Sequence, residues 1–279
     1  MKNILIPTDF SDNSWNAIVY ALKFFEKSTC NFYLLHVNVV NDMVIGGSPL
    51  VPTQKILKEV YIEPSKRQLQ KLIDRLKQIT VNKKHRFFTL TDYNLFIDSI
   101  RNHVEDKKID FIVMGTKGAS GLKQLIIGSN AGAVVRRVHC NTLIVPENAT
   151  YSKPEEIVFP TDFSSFYSSN ILQPIIEILE ANNACVRIIH ISKKEPDLNE
   201  NQSINKEYLE DYFDNYSHSF HFLKNNHIED AIQGFVESEN TNLIIMVAKN
   251  LNYFQRILFH PTVEKISYHT DVPFLVLHE

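Results

Sequence analysis

The chain contains an internal repeat, and this feature constrains its fold more than any other. Four segments of the first half recur in the same order in the second half. A repeat period this long holds a whole domain and not one solenoid unit, so two tandem domains are expected. We place them at residues 1–148 and 154–279, with the boundary near the polar stretch ENATYSKPEE. The matched pairs are IPTDFSDNSWNAI with FPTDFSSFYSSNI, FYLLHVN with VRIIHIS, DFIVMGTKG with NLIIMVAKN, and CNTLIVP with VPFLVLH.

Short apolar runs alternate with helical patterns within each half. Such runs are typical of buried parallel strands, and their alternation with helices predicts a parallel sheet covered on both faces. Each half is therefore expected to be a doubly wound, Rossmann-like α/β domain with five parallel strands. Ser11 is expected to cap a helix that extends to about Glu26. The predicted strands are NILIP, FYLLHV, RFFTLT, FIVMG and TLIVP, then EIVFP, VRIIHI, SFHFLK, LIIMV and FLVLH.

Two longer amphipathic segments, TQKILKEVYIEPSKRQLQKLIDRLKQI and NLFIDSIRNHVEDKK, predict further helices in the first half. The stretch from Asn41 to Pro52 has no counterpart in the second half, and we expect it to be a mobile loop.

Charge and composition exclude several classes of partner. The net charge is -3, the pI is near 6.4, and no run of five like charges occurs, which argues against nucleic acid and anionic membranes as partners. No apolar run approaches the ~18 residues of a membrane span, and the amino terminus turns polar too soon for a signal peptide. The three cysteines are far apart and form no CxxC, so neither a disulfide framework nor a zinc site is indicated. A cytoplasmic protein is the expectation.

Five of the 8 glycines lie between residues 115 and 132. Glycine adopts positive φ angles without strain and lets the backbone approach another group closely, so this concentration predicts a specialised loop. The loop leaves a predicted strand end, where open α/β sheets bind ligands, and Ser129 is expected to open a helix whose N–H groups favour an anion. Gly118 and Gly128 would let the backbone approach a phosphate. The alternative is that the glycines only allow a tight connection between the strand and the helix and close packing of that helix.

The phosphate fingerprints GxxxxGK[ST] and GxGxxG are absent. The spacing found is G-x2-G-x9-G-S, which begins at Gly115 and ends at Ser129. Together with PTDFS near the amino terminus and a strand ending in LLHV, this spacing resembles the ATP-binding branch of the universal stress protein (UspA) family. The resemblance covers both halves, and its glycine motif is complete in the first half.

The resemblance implies an adenine nucleotide, ATP, at the strand ends of an adenine nucleotide alpha hydrolase-like fold. It implies that Asp9 contacts the ribose and adenine side, that the main chain of Val37 meets the adenine edge, and that Gly115 borders the ribose. Asp9 could instead cap the first helix, and both roles can coexist. A divalent metal, Mg²⁺ or Mn²⁺, could bridge the phosphates, although no dedicated carboxylate ligand is visible. The residues implied to cradle the phosphates through backbone N–H groups are Gly118, Gly128, Ser129 and Asn130.

The second half is expected to keep the fold and to have lost the nucleotide. Asp162 persists there and suits a helix-capping role, while His36 and His190 recur in both halves and are interpreted as structural. In the family the last strands of two domains commonly pair antiparallel, which implies an intramolecular pseudo-dimer; a homodimer of the chain is compatible with this but does not follow from it. Gapless alignment of the halves replaces Gly115, Gly118, Gly128 and Ser129 by Val247, Asn250, His260 and Pro261.

Three functions are consistent with these patterns. The leading hypothesis is an ATP-binding regulatory protein of the stress response with slow or no turnover, because the sequence shows no positioned base, arginine finger or strong pair of metal carboxylates. An ATP hydrolase, or a nucleotidyl- or phosphoryl-transferring relative that uses the same crevice, is the second. A ligand-free interaction module is the third.

Overall fold

The computed structural model describes residues 1–39, 54–80, 82–116, 128–193, 198–248 and 271–279. It also describes the backbone of two short antiparallel strands within the stretch that we expected to be a loop. The rest of that stretch lies outside the described residues. The strands are β1 Lys2–Pro7, β2 Cys30–Val39, β3 Val44–Ile45, β4 Ser48–Pro49, β5 Arg86–Asn94, β6 Phe111–Gly115, β7 Asn141–Val145, β8 Glu156–Pro160, β9 Cys185–Ser192, β10 His218–Lys224, β11 Leu243–Val247 and β12 Phe274–Leu277.

Ten of the described strands form one continuous sheet in the order β10-β9-β8-β11-β12-β7-β6-β1-β2-β5. Each half contributes five strands that are parallel to one another, which confirms the predicted architecture. Each half also has the same internal order, because its first strand is central and the chain winds outward from it in both directions. This is the doubly wound arrangement expected from alternating strands and helices.

Helices cover both faces of the sheet. The first begins where Ser11 was predicted to cap it, since the Ser14 N–H donates to Ser11 Oγ at 3.2 Å. The long amphipathic segment is helical as expected, but it contains a π-helical stretch that its periodicity did not indicate. The helices are α1 Asp12–Phe24, α2 Gln54–Ile56, the π-helical segment Leu57–Ile62, α3 Glu63–Ile79, α4 Phe96–Asp106, α5 Ser129–Arg137, α6 Ser169–Asn182, α7 Glu200–Phe213 and α8 Ile228–Ser238.

Two apolar layers hold the helices on the sheet. Successive side chains of a strand point to opposite faces, so Ile4 and Ile6 pack into one layer and Leu5 into the other. The three side chains are fully buried, and burial of each contributes roughly 1.5–3 kcal/mol. Both layers contain residues of both halves, so the hydrophobic core is continuous along the sheet.

The final strands of the two halves, β7 and β12, pair antiparallel at the centre of the sheet, as predicted. Ile144 lies opposite Phe274 and Thr142 opposite Val276. The two strands therefore cover each other's edge, which would otherwise be open to pairing with another chain. Polar contacts also join the halves, among them an ion pair of 2.6 Å between Lys2 Nζ and Glu177 Oε2.

Candidate functional site

The strand order of the first half reverses between β1 and β6. In open α/β sheets, ligands bind beyond the carboxyl ends of the strands at such a switch point. Asp9 follows β1 by two residues, Val37 lies near the end of β2, and Gly115 is the last residue of β6. The fold thus brings three of the predicted site residues to the same end of three adjacent strands.

The main chain of Val37 faces the space beyond the end of β1. The last residue of β1, Pro7, pairs with Leu35, and the Thr8 N–H donates to the Leu35 carbonyl oxygen at 2.8 Å. Polar backbone groups of alternate residues in a parallel strand point to the same side. Val37 therefore directs its N–H and C=O to the side occupied by β1, two residues past the point where that strand stops.

A tight turn holds Asp9 at this position. Phe10 adopts the left-handed region with φ 65°, which is uncommon for a residue with a side chain. Its N–H donates to Thr8 Oγ1 at 3.1 Å. One carboxylate oxygen of Asp9 accepts from the Ser11 N–H at 3.1 Å and from the Ser11 hydroxyl at 2.6 Å. The Asp9 side chain is exposed, so it can also meet a ligand.

The same turn occurs in the second half, where Phe163 has φ 56°. A histidine stabilises each copy, because His36 Nδ1 lies 2.8 Å from the Thr8 carbonyl oxygen and His190 Nδ1 lies 3.1 Å from that of Thr161. Burial lowers the pKa of His190, so this ring is a neutral hydrogen-bonding group at neutral pH. The structural interpretation of both histidines is confirmed.

Neither aspartate of the repeated turn caps a helix. The N-cap of α1 is Ser11, and α6 begins only at Ser169 with Ser168 as its N-cap. Asp162 instead accepts from the N–H and the hydroxyl of Ser164, so the predicted capping role of Asp162 is wrong. The capping alternative for Asp9 is wrong for the same reason, since both carboxylates are used in a turn that precedes the helix.

Gly115 allows α1 to approach the end of β6. A Cβ atom at Gly115 would lie 2.9 Å from Asn13 Oδ1 and 3.2 Å from the Asn13 carbonyl oxygen. Packing therefore accounts for glycine at this position. Val247 takes the equivalent position in the second half, where α6 starts too late to supply the helical turn that carries Asn13. The role of Asn13 was not predicted from the sequence, although the different residue at its place in the second half was a usable signal.

The amino terminus of α5 lies next to the end of β6. The Gly128 N–H donates to the Thr116 carbonyl oxygen. This bond joins the residue that follows β6 to the residue that precedes α5. Ser129 and Asn130 are exposed in the first turn of α5, where N–H groups have no acceptor within the helix and the helix dipole is positive. This end of α5 can hold an anion. Gly118 lies outside the described residues.

Helix α7 covers the turn of the second half. Gln202 Nε2 donates to the Asp162 carbonyl oxygen and Asn205 Nδ2 donates to that of Phe163, both at 2.7 Å. This contact was not predicted, although two polar residues three positions apart on a predicted helix were a usable sequence signal for it. Asn250, His260 and Pro261, the predicted replacements in the loop of the second half, lie outside the described residues.

The described part of the chain offers neither a metal site nor a membrane-spanning helix. There, no group of three or more His, Cys, Asp or Glu side chains is placed to hold a metal ion. No helix in the described ranges is long and apolar enough to cross a membrane.

Comparison with protein families identifies the first half. The model of the universal stress protein family matches residues 1–146, which is more than half of the chain. The chain belongs to the universal stress protein family. Its relatives include the universal stress protein MJ0531 of Methanocaldococcus jannaschii, 31% identical over 144 residues that cover 52% of this chain and 81% of the relative. The universal stress protein YxiE of Bacillus subtilis is 29% identical over 147 residues, which are 52% of this chain and 98% of that protein.

Solved structures extend the similarity of fold to the whole chain. A universal stress protein from Archaeoglobus fulgidus superposes with a TM-score of 0.71 at 18% sequence identity. The match covers 98% of this chain and 97% of that one, so the family fold extends over both halves.

Proposed function

We propose that the chain is an ATP-binding regulatory protein of the stress response, with one nucleotide in a first domain of residues 1–148. The observation that carries this proposal is the meeting of Asp9, Val37 and Gly115 at the switch point of the first half. A nucleotide there would lie at the carboxyl ends of the strands, with its base toward β2 and its phosphates toward α5.

The phosphate end of the proposed site is the start of α5. The first-turn N–H groups of Ser129 and Asn130 and the positive end of the helix dipole favour a phosphate. In the described arrangement the Gly128 N–H is engaged by Thr116, so Gly128 would have to exchange this partner to donate to a ligand. Gly118 belongs to the proposed cradle through its place in the glycine motif. Mg²⁺ or Mn²⁺ would be held mainly by the phosphates.

The adenine end combines two groups of different kinds. The main chain of Val37 offers a donor and an acceptor beside the end of β1, and the exposed carboxylate of Asp9 can accept from ribose hydroxyls. The choice of adenine over other bases derives from the resemblance to the ATP-binding branch of the family.

A second domain of residues 154–279 would serve as a structural partner in an intramolecular pseudo-dimer. Antiparallel pairing of β7 with β12 and the continuous core support this role. The hydrogen bonds from Gln202 and Asn205 also support a structural role, because they attach α7 to the turn of the second half that corresponds to the turn at Asp9. A cytoplasmic location is part of the same proposal, and a homodimer of the chain is compatible with it.

Calorimetry with the intact chain tests the proposal. We expect about one ATP per chain, and a stoichiometry near two would contradict binding by the first domain alone.

Asp9→Ala and Asp162→Ala form a matched pair of variants, because each removes the same two hydrogen bonds of the turn. Only Asp9→Ala should weaken ATP binding; equal effects would show that Asp9 makes no ligand contact.

A second variant tests the phosphate end. Gly128 has φ -60° and ψ 159°, which valine also adopts, so Gly128→Val adds a side chain without backbone strain. We expect the variant to fold and to lose ATP binding. A folded variant that keeps its affinity would show that the phosphates lie elsewhere.

Chromatography of the bound nucleotide over time tests whether the chain turns ATP over. Rapid release of ADP or AMP would establish an enzyme.

A further inference from the structure

One side chain of the first half joins the end of β2 to two other elements. Asn38 directly follows Val37 near the end of β2. Its Nδ2 donates to the Asp92 carbonyl oxygen of β5 at 3.1 Å, and its Oδ1 accepts from Ser65 Oγ of α3 at 3.0 Å. Because an amide both donates and accepts, Asn38 ties β2 to an adjacent strand and to a helix at the same time.

The same network reaches the π-helical segment. The buried Ser65 hydroxyl lies 2.7 Å from the Tyr61 carbonyl oxygen, so its single hydrogen is shared between that oxygen and Asn38. The Tyr61 ring packs on Tyr93, with centroids 5.1 Å apart, and Tyr93 is the β5 partner of Asn38. π-Helical turns within α-helices are frequent at functional sites. Here the π-helical turn is held against the strand ends where the base would bind.

Among the described residues, the bonds that Asn38 and Ser65 form belong to the first half. The pairing of Pro7 with Leu35 corresponds to that of Pro160 with Ile189, so Ser192 is the equivalent of Asn38. A serine side chain is too short to bridge a strand and a helix in this way, and α7 begins as a regular α-helix with a capping box. The turn and its histidine, in contrast, occur in both halves. The fold of a half therefore does not require the network. The network occurs in the half that also contains the complete glycine motif.

We propose that Asn38 is a positioning residue that fixes the main chain of Val37 and thereby sets the preference for adenine over guanine. This inference rests on the proposed function, because it takes the nucleotide to bind in the first half. Adenine presents an N6 amino donor and an N1 acceptor on the edge where guanine presents an O6 acceptor and an N1–H donor. A rigid N–H and C=O pair satisfies one edge and leaves the other unpaired, which is how buried polar groups discriminate between ligands.

The test is the ratio of ATP to GTP affinity, measured by calorimetry on the full chain. Asn38→Ala should reduce this preference by about three- to tenfold, which corresponds to the net contribution of about one hydrogen bond between the Val37 main chain and the base. Ser65→Ala should shift the ratio in the same direction by a smaller factor. Ser192→Ala is the matched control at the equivalent position of the second half, and it should leave the ratio unchanged.

The outcomes separate the inference from the proposed function. If the unmodified chain binds ATP and Asn38→Ala weakens both nucleotides equally, Asn38 is merely structural and the inference is overturned, while the proposed function stands. If the unmodified chain binds neither nucleotide, both are overturned. Thermal unfolding shows whether each variant folds; should Asn38→Ala fail to fold, the ratio for Ser65→Ala decides, and an unchanged value there overturns the inference.

Discussion

The imidazole rings of His139 and His278 meet edge to face, with centroids 6.0 Å apart, beside the junction of β7 and β12. The backbone N–H of His278 donates to Asn141 Oδ1 at 3.0 Å, which places the pair at the start of β7. Burial, and then the charge of His139, lowers the pKa of His278 to about 4. A histidine whose pKa is lowered therefore lies where the two halves are joined.

The lowered pKa of His278 predicts a loss of stability in mild acid. An unfolded histidine binds its proton near pH 6.5, whereas folded His278 excludes it until about pH 4. The unfolded state binds more protons in that interval, so the free energy of unfolding is highest above it and falls as the pH is lowered through it. His278→Leu should reduce this fall by about 1–2 kcal/mol at pH ~5. Urea unfolding near pH 7 and pH 5 measures it, and equal pH dependence in both proteins would contradict the assignment.

The contact between Gly115 and Asn13 predicts opposite effects for two Gly→Ala changes. Gly115→Ala places a methyl group 2.9 Å from Asn13 Oδ1, and relief of such overpacking costs about 1–3 kcal/mol. Gly234 lies inside α8 with nothing within 4 Å of a Cβ atom, so Gly234→Ala should stabilise by about 0.5–1 kcal/mol. Denaturant unfolding compares the two, and two changes of the same sign would refute the packing explanation.

The caps of α1 and α6 predict unequal effects for two Ser→Ala changes. Ser11 accepts a bond from the Ser14 N–H, so Ser11→Ala should destabilise by about 1 kcal/mol. Ser168 occupies the N-cap of α6 but forms no side-chain cap bond, and Ser168→Ala should cost only a few tenths of a kcal/mol. The measurement is again the free energy of unfolding; a larger loss at Ser168 would be inconsistent with these caps.

The bond from α7 to the repeated turn predicts a local effect. Asn205→Ala removes the donor to the Phe163 carbonyl oxygen and should lower stability by about 1 kcal/mol. Hydrogen exchange near Phe163 should become faster, because the turn loses its attachment to the helix. Asn201, which is exposed on the same helix, provides the control variant Asn201→Ala. Equal exchange rates in the two variants would show that α7 does not restrain the turn.

The sequence by itself determined the repeat, the strands and their alternation with helices. The limits of β6, β8 and β11 agree with the predicted FIVMG, EIVFP and LIIMV, because an apolar run records locally which residues are buried. The start of α1 was predictable for the same reason, since Ser11 caps the helix through a residue only three positions away. The family was recognisable from motifs that are each contiguous in the chain.

Only the tertiary structure decided which distant residues meet. The approach of Asn13 to Gly115 depends on how α1 docks on the sheet, and the network around Asn38 joins three elements far apart in the sequence. The role of Asp162 was mispredicted because a turn and a helix cap use the same carboxylate chemistry, and only the late start of α6 distinguishes them. Composition and periodicity record burial, whereas contacts of this kind depend on strand order and on the exact placement of helices over the sheet.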